Sequence, residues 1–344
     1  MALVLRIPPR AMIVLQIVAV TIAYYLAAEI GLLFAVVRDQ VTPFWPPTGI
    51  ALAALLLWGL RTWPGIALGA LLVNLPIGPS VVTVGAIAVG NTMAPVLVYL
   101  LLTRTDFHPR LDRLSDAVRL VFFGALGGSL VSASIGSLAL AQSGAVPTSE
   151  FLATWSVWWT GDAMGLLLVA PLLLTYATSR WRTALTPGQW LEAAAVLLCT
   201  VAVSVATARG LLPMMIYAFP LLVWAAVRFR HLGATPAALI VSTGAMVAAQ
   251  RGVDPFQGLD TFATMVTLQT FNSTVALTCL LLAAVIAERD QAYRTIQNAV
   301  SQVSAALAQS SGRPPLDASV WRLPEQTDTG AAPPSVSRPA PPPE

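Results

Sequence analysis

A chain of 344 residues in which 56% are hydrophobic and only 10% are charged cannot fold as an ordinary water-soluble globule. Its net charge of +3 is small and dispersed, which argues against a nucleic-acid partner. Cys199 and Cys279 both lie in apolar segments, so they indicate neither a disulfide framework nor a metal site, and no cofactor is expected. The composition therefore predicts an integral protein of the lipid bilayer.

Apolar runs bounded by charged residues, glycine or proline predict an all-α, polytopic transmembrane helix bundle of about eight to ten spans. The second and third runs are short and only Arg61 separates them, so a re-entrant or joined pair would reduce ten spans to eight. The ten runs are 11–37, 44–60, 62–78, 80–103, 116–141, 151–177, 187–208, 211–229, 233–250 and 261–287.

The arginines set the expected orientation of the bundle. If the N-terminus is cytoplasmic, the inner connections carry thirteen arginines, whereas the outer connections carry only Arg38, Arg209 and Arg251. This positive-inside bias, together with an even number of spans, predicts that both termini lie in the cytoplasm.

The stretch Thr42 to Gly49, TPFWPPTG, lies at the outer end of the second span in this topology. Pro46 and Pro47 can open a helix, because the first helical turn has no internal partners for its N–H groups. Trp45 and its neighbour Phe44 are residues of the membrane interface. We interpret the stretch as a rigid turn that leads into the second span, and a lid over the outer mouth is the alternative.

The stretch 155–171, WSVWWTGDAMGLLLVAP, places the carboxylate of Asp162 in the middle of an apolar, membrane-length segment. A charge at the centre of a bilayer helix costs at least about 2.5–3.5 kcal/mol, so such residues usually face a bundle interior, a wet cavity or a partner. Helical spacing puts Trp155, Trp158, Asp162 and Gly165 on one face, where Gly165 leaves room for another backbone. This pattern indicates a site, and a purely structural hydrogen bond from Asp162 is the alternative.

Other polar residues within the spans cluster toward the outer half in the predicted topology. Because intramembrane polar groups often mark functional sites, we predict a shared pocket that opens outward. The alternative is that each polar residue separately joins two helices. The predicted ligand-binding residues are Asp162, Trp158, Glu29, Asn91, Gln269, Asn272 and Trp45.

The predicted membrane domain, 11–287, is followed by two segments of different character. Residues 286–309 have apolar residues seven apart, which predicts an amphipathic, cytoplasmic heptad helix that pairs with a copy of itself or with a partner. Residues 310–344 are rich in proline, serine and alanine, which predicts a disordered tail with no folded output domain.

Five motifs, in this order, resemble the first family of MASE-type membrane-associated sensor domains, which are bacterial integral-membrane sensory modules. They are FWPPTGIALAALLLWG with RTWPGIALGALLVNL from Phe44, GNTMAPVLVYLLL from Gly90, WWTGDAMGLLLVAPLLL from Trp158, FPLLVWAAVRF from Phe219, and a last span ending in AERDQA. The resemblance covers about residues 11–290.

This resemblance implies a sensor of the bacterial inner (plasma) membrane, which in this family usually has eight spans and precedes a histidine kinase, diguanylate cyclase or phosphodiesterase. Because no such output domain follows here, we expect a stand-alone sensor, a truncated product, or a subunit that acts on a partner kinase or cyclase through 286–309. The family supplies no general ligand, so the pocket residues are predicted from the chain itself.

The predicted function is therefore that of a non-enzymatic sensory module that binds a small molecule of unknown identity. An intramembrane enzyme would have only Asp162 and Glu29 as acid and base, with no nucleophile or metal geometry. A transporter or transporter-like binding subunit is the alternative, because polar residues near the bilayer midplane and a short, proline- and glycine-interrupted pair at 44–78 are typical of transporters.

Overall fold

The computed structural model describes residues 8–37, 40–178, 186–212 and 215–311, and these residues form a helical bundle without β-strands. We number the helices α1 to α10 in chain order, counting each continuous helical rod once. They are α1 Pro9–Leu32, α2 Pro46–Trp58, α3 Trp63–Asn74, α4 Val81–Thr103, α5 Leu114–Gln142, α6 Thr148–Thr178, α7 Pro187–Ala208, α8 Met215–Phe229, α9 His231–Gln250 and α10 Thr261–Ser311.

The predicted all-α, polytopic bundle is confirmed, and each of the ten predicted runs contains one helix. Seven of the described helices are long and apolar enough to cross a membrane. The other three are α2, α3 and α8, and α2 has only 13 residues and α3 only 12. At a rise of about 1.5 Å per residue, α2 and α3 are each shorter than the roughly 30 Å hydrocarbon core of a bilayer.

Helices α2 and α3 form a short hairpin along α1. Proline occupies the first turn of each helix, and Gly59, with φ 87°, ends α2. The hydroxyl of Thr21 in α1 donates to the Gly65 carbonyl in α3 at 3.1 Å. One turn later, Gly69 packs against the ring of Tyr24. The absence of a side chain at these two glycines therefore lets α3 lie directly on α1.

Helix α6 is the most buried of the membrane-length helices, since 72% of its most apolar 18-residue stretch is buried inside the protein. The corresponding values are 22% for α1 and 28% for α7, which expose apolar side chains over most of their length. The helix widens to π-helical turns from Gly165 to Val169, and α5 does so from Leu120 to Gly128. A site on α6 is therefore enclosed by the rest of the bundle.

Residues up to Glu288 form one compact unit, and the chain from Arg289 onward forms a second. In the first unit, the Leu114 N–H at the start of α5 donates to Glu288 Oε1 at 2.9 Å. In the second, the predicted helix is present as the last part of α10. Its apolar residues Tyr293, Ile296, Val300 and Val303 are exposed. The predicted disordered tail is 310–344, and from residue 312 onward it lies outside the described residues.

Candidate functional site

The stretch Thr42–Gly49 is fully buried and lies across α6. Trp45 N–H donates to the Gly161 carbonyl at 3.1 Å, which joins the two backbones directly. Pro46 and Pro47 occupy the first positions of α2, as predicted. The stretch is therefore a rigid turn held against the central helix, as we interpreted it from the sequence.

Three glycines make this crossing possible. A Cβ added at Gly161 would lie 2.2 Å from the Thr42 carbonyl oxygen, and one at Gly165 would lie 2.2 Å from the Trp45 carbonyl oxygen. A Cβ at Gly49 would lie 2.1 Å from the Gly165 oxygen. Small residues allow such backbone contact between membrane helices. The predicted approach of a second backbone at Gly165 is confirmed. The WPPTG and TGDAMG stretches therefore pack directly against each other.

Asp162 lies at this crossing, and its side chain is 0% exposed. The Thr48 hydroxyl, from the first turns of α2, donates to Asp162 Oδ1. Asp162 Oδ2 has no hydrogen-bond partner within the part of the chain that the structure describes. Ser132 and Trp158 lie beside the same carboxyl group. A buried carboxyl oxygen without a partner is costly, so this position calls for a function or a ligand.

A short chain of hydrogen bonds runs past Asp162. The Trp158 indole N–H donates to Ser132 Oγ at 3.1 Å, and Ser132 Oγ donates to Asn91 Oδ1 at 2.8 Å. Gly136 makes room for the indole, because a Cβ there would lie 2.3 Å from the Trp158 ring. These two bonds join α6, α5 and α4 at this level of the bundle.

Tyr24 completes the cluster from α1. Its side chain is 0% exposed and lies near Trp45, Asn91 and Asp162. Among the described residues, neither the Tyr24 hydroxyl nor the Trp45 indole N–H has a hydrogen-bond partner. We call Tyr24, Trp45, Thr48, Asn91, Ser132, Trp158 and Asp162 the polar cluster.

A narrow crevice, partly open to the surface, borders the polar cluster. Trp45, Asn91 and Trp158 belong both to the cluster and to the crevice, and Trp158 lies beside Asp162. The described residues that line the crevice carry no charge and are Gln40, Val41, Thr42, Trp45, Asn74, Asn91 and Trp158.

Four of the predicted ligand-binding residues, Asp162, Trp158, Asn91 and Trp45, are therefore brought together, and three others lie apart from them. Glu29 is exposed on α1 and interacts with Tyr25, one turn earlier on the same helix. Gln269 and Asn272 are buried in α10, and neither lines the crevice. That the assembled residues bind a ligand stays a prediction.

Sequence reasoning missed Tyr24, Thr48 and Ser132 as members of the cluster. Thr48 stands in the WPPTG stretch, and its position directly after a helix-opening proline pair was the available signal. Ser132 and Tyr24 carry no comparable signal, because serine and tyrosine are ordinary residues in membrane helices.

The polar cluster offers hydrogen-bonding groups around one carboxyl group. Among the described residues, no three His, Cys, Asp or Glu side chains gather in a way that would hold a metal ion. The donors and acceptors around Asp162 are instead two hydroxylic side chains, a phenol, a carboxamide and two indoles.

These features define a polytopic helical membrane protein with a buried polar cluster and a crevice beside it. The chain belongs to the MASE1 family of membrane-associated sensor domains, which matches residues 15–290. The family predicted from the motifs is thereby confirmed.

A similar protein is the probable diguanylate cyclase DgcE of Escherichia coli (strain K12), which is 26% identical over 223 residues. The match covers 63% of this chain and 19% of the relative, so the chain spans about a fifth of that protein's length. No solved structure matches the chain.

Proposed function

We propose that this sensory membrane domain of the MASE1 family binds a small-molecule stimulus in the crevice and that Asp162 governs the response. The observation that carries this proposal is the hydrogen bond from Thr48 to Asp162, because it joins the turn that lines the crevice to the most buried helix. A stimulus that moves Trp45 or Trp158 changes the surroundings of that bond.

The response is passed on through displacement of packed helices. Asp162, Ser132 and Asn91 lie on α6, α5 and α4, so a rearrangement of the polar cluster shifts three helices of the core. Packed cores have discrete arrangements and do not deform continuously, and a small local change can therefore select between two of them.

The output is a cytoplasmic partner reached through 286–309. Tyr293, Ile296, Val300 and Val303 form an exposed apolar stripe with heptad spacing, which is typical of a helix that pairs. The similarity to a probable diguanylate cyclase supports a cyclase as partner or output, and a histidine kinase or a second copy of the chain uses the same type of helix. The arginine distribution supports cytoplasmic termini in a bacterial inner membrane.

The test is a chimera in which residues 1–306 replace the matching region of the diguanylate cyclase relative, with cellular cyclic di-GMP as the readout. Asp162→Asn preserves the shape of the side chain and removes its charge. We expect this variant to reach the membrane at wild-type abundance and to change cyclic di-GMP at least about threefold. A threefold change corresponds to a shift of about 0.7 kcal/mol in the balance between two signalling states, because each 1.4 kcal/mol shifts an equilibrium tenfold.

Glu150→Gln is the matched control, because Glu150 is an exposed carboxylate on the same helix and contacts none of the cluster. It should signal like the wild type. If Asp162→Asn also signals like the wild type, and Asp162→Leu only lowers the folded amount, Asp162 is a structural strut and the proposal is wrong.

A further inference from the structure

Among the described residues of the helices that form the polar cluster, no cationic side chain lies close to the buried carboxyl group of Asp162. The helices that supply the cluster are α1, α2, α4, α5 and α6, and their described residues include two arginines, Arg10 and Arg119. Arg119 bonds to Asp116 at 3.4 Å and lies about 20 Å along α5 from Ser132. Arg10 lies about as far along α1 from Tyr24. An ionised Asp162 would therefore be an unpaired charge, which is strongly unfavourable inside a membrane protein.

The polar cluster holds side-chain oxygens from four other helices, and those of Thr48, Ser132 and Tyr24 interact with this carboxyl group. Thr48 donates its hydroxyl proton to Asp162 Oδ1, and Ser132 donates its own to Asn91 Oδ1. Ser132 Oγ also accepts the Trp158 indole N–H, and the oxygens of Thr48, Ser132 and Asn91 each keep lone-pair capacity beyond these bonds. Asp162 Oδ2 and the Tyr24 hydroxyl, which are both fully buried, have no partner among the described residues. The cluster thus offers oxygen ligands from four helices together with one buried carboxylate oxygen that lacks a partner.

We propose that the oxygens of Asp162, Thr48, Ser132, Asn91 and Tyr24 bind one sodium ion. Hard cations prefer carboxylate, hydroxyl and carbonyl oxygens. A monovalent ion neutralises the single carboxylate, whereas protein sites for Ca²⁺ use several carboxylates. The ion coordinates Asp162 Oδ2, which otherwise has no partner among the described residues, and neutralises the charge of the carboxylate.

This site gives the sensor a cation-dependent state. With the ion bound, the first turns of α2 and the middle of α6 are held together through Thr48 and Asp162. Without it, the carboxyl group must take up a proton or recruit water, and the same contact weakens. The inference rests on the proposed function in one respect only, namely that the state of Asp162 sets the output.

The experiment uses the purified full chain in detergent, at constant ionic strength, with sodium chloride exchanged for choline chloride. Trp158 and Trp45 lie beside Asp162, so tryptophan fluorescence and thermal stability both report on the cluster. We expect a saturable change with sodium that choline does not produce. Glu150→Gln should retain it and Asp162→Asn should lose it. Thr48→Val, which keeps the shape and removes one oxygen, should weaken the apparent sodium affinity at least about tenfold.

A sodium effect of equal size in Asp162→Asn and wild type would overturn the proposal. So would a transition that follows pH and is the same in sodium and choline, because a proton alone would then occupy the site. If Asp162→Asn does not fold, an unchanged sodium affinity in Thr48→Val also refutes the site. A cyclic di-GMP response to Asp162→Asn without any sodium binding would refute this inference alone and leave the proposed function standing.

Discussion

Replacing Gly165 by alanine is expected to break the contact between the WPPTG turn and the central helix. The new methyl carbon would lie 2.2 Å from the Trp45 carbonyl oxygen, a separation that real Cβ atoms do not adopt. The backbone of the turn must therefore move by about 1 Å, because both groups are rigid and no flexible side chain can absorb the change. Gly161, which accepts the Trp45 N–H bond, lies one turn away on the same face.

The expected loss of stability has two parts. Overpacking a tight contact costs about 1–3 kcal/mol. Stretching the bond from Trp45 N–H to the Gly161 carbonyl adds about 0.5–1.5 kcal/mol, the usual net value of a hydrogen bond. Opposing this, alanine is the better helix former by up to about 1 kcal/mol. The net result is a destabilisation of about 0.5–4 kcal/mol.

Gly85→Ala is the matched control, because Gly85 also lies inside a membrane helix but has nothing within 4 Å of its Cβ position. It should be neutral or slightly stabilising. Thermal unfolding of the two purified variants in the same detergent, followed by tryptophan fluorescence, gives the comparison. Equal unfolding temperatures for Gly165→Ala and Gly85→Ala would show that the turn does not lie on α6 as described. The described geometry of the polar cluster would then also be wrong.

Three further predictions concern other parts of the chain. Alkaline phosphatase should be active when fused after Gly144 and inactive after Arg182, because arginine favours the cytoplasmic side; the reverse pattern would invert the orientation. In a background without the native cysteines, a cysteine at Val300 should cross-link in membranes more readily than one at Ser301, since Val300 lies on the heptad stripe. Equal yields would exclude pairing through this stripe. Glu288→Ala should speed hydrogen exchange at the first amide of α5 about two- to thirtyfold, because a lost N-terminal acceptor costs about 0.5–2 kcal/mol. Glu288→Gln should preserve most of the protection. Equal exchange rates in Glu288→Ala and the wild type would mean that the bond is not formed in solution.

The local arguments from sequence identified the elements well, because they depend on spacing alone. Apolar length located every helix, and the proline pair marked the start of α2. Of the predicted helical face of Trp155, Trp158, Asp162 and Gly165, the last three lie at the polar cluster, since residues three and four apart share a face in any helix. Trp155 instead stacks on Trp159 and donates its indole N–H to Ser134 Oγ at 3.1 Å. Asp162 was recognisable as a special position because an ionisable residue in a bilayer-length run is costly wherever its neighbours lie.

The outward face of α1 illustrates where such reasoning stops. Apolar residues lie on all sides of α1, so the spacing of its apolar residues does not show whether Tyr24 or Glu29 faces the bundle. The structure buries Tyr24 against α3 at Gly69 and leaves Glu29 exposed. Glu29 therefore lies away from the cluster that the sequence predicted it would join.

The sequence by itself determined the helices, the membrane class, the family and the central carboxylate, because these follow from composition, spacing and motif order along one chain. Only the tertiary structure decided the partners of Asp162. Hydroxyl groups in membrane helices commonly bond to a carbonyl of their own helix, as Thr92 does to Ala88 at 2.7 Å. In the sequence, Thr48 differs from Thr92 in following a helix-opening proline pair, but this position does not show that its hydroxyl reaches Asp162. The difference arises because Gly161 and Gly165 let the turn before α2 approach α6 closely enough for Thr48 to reach the carboxylate.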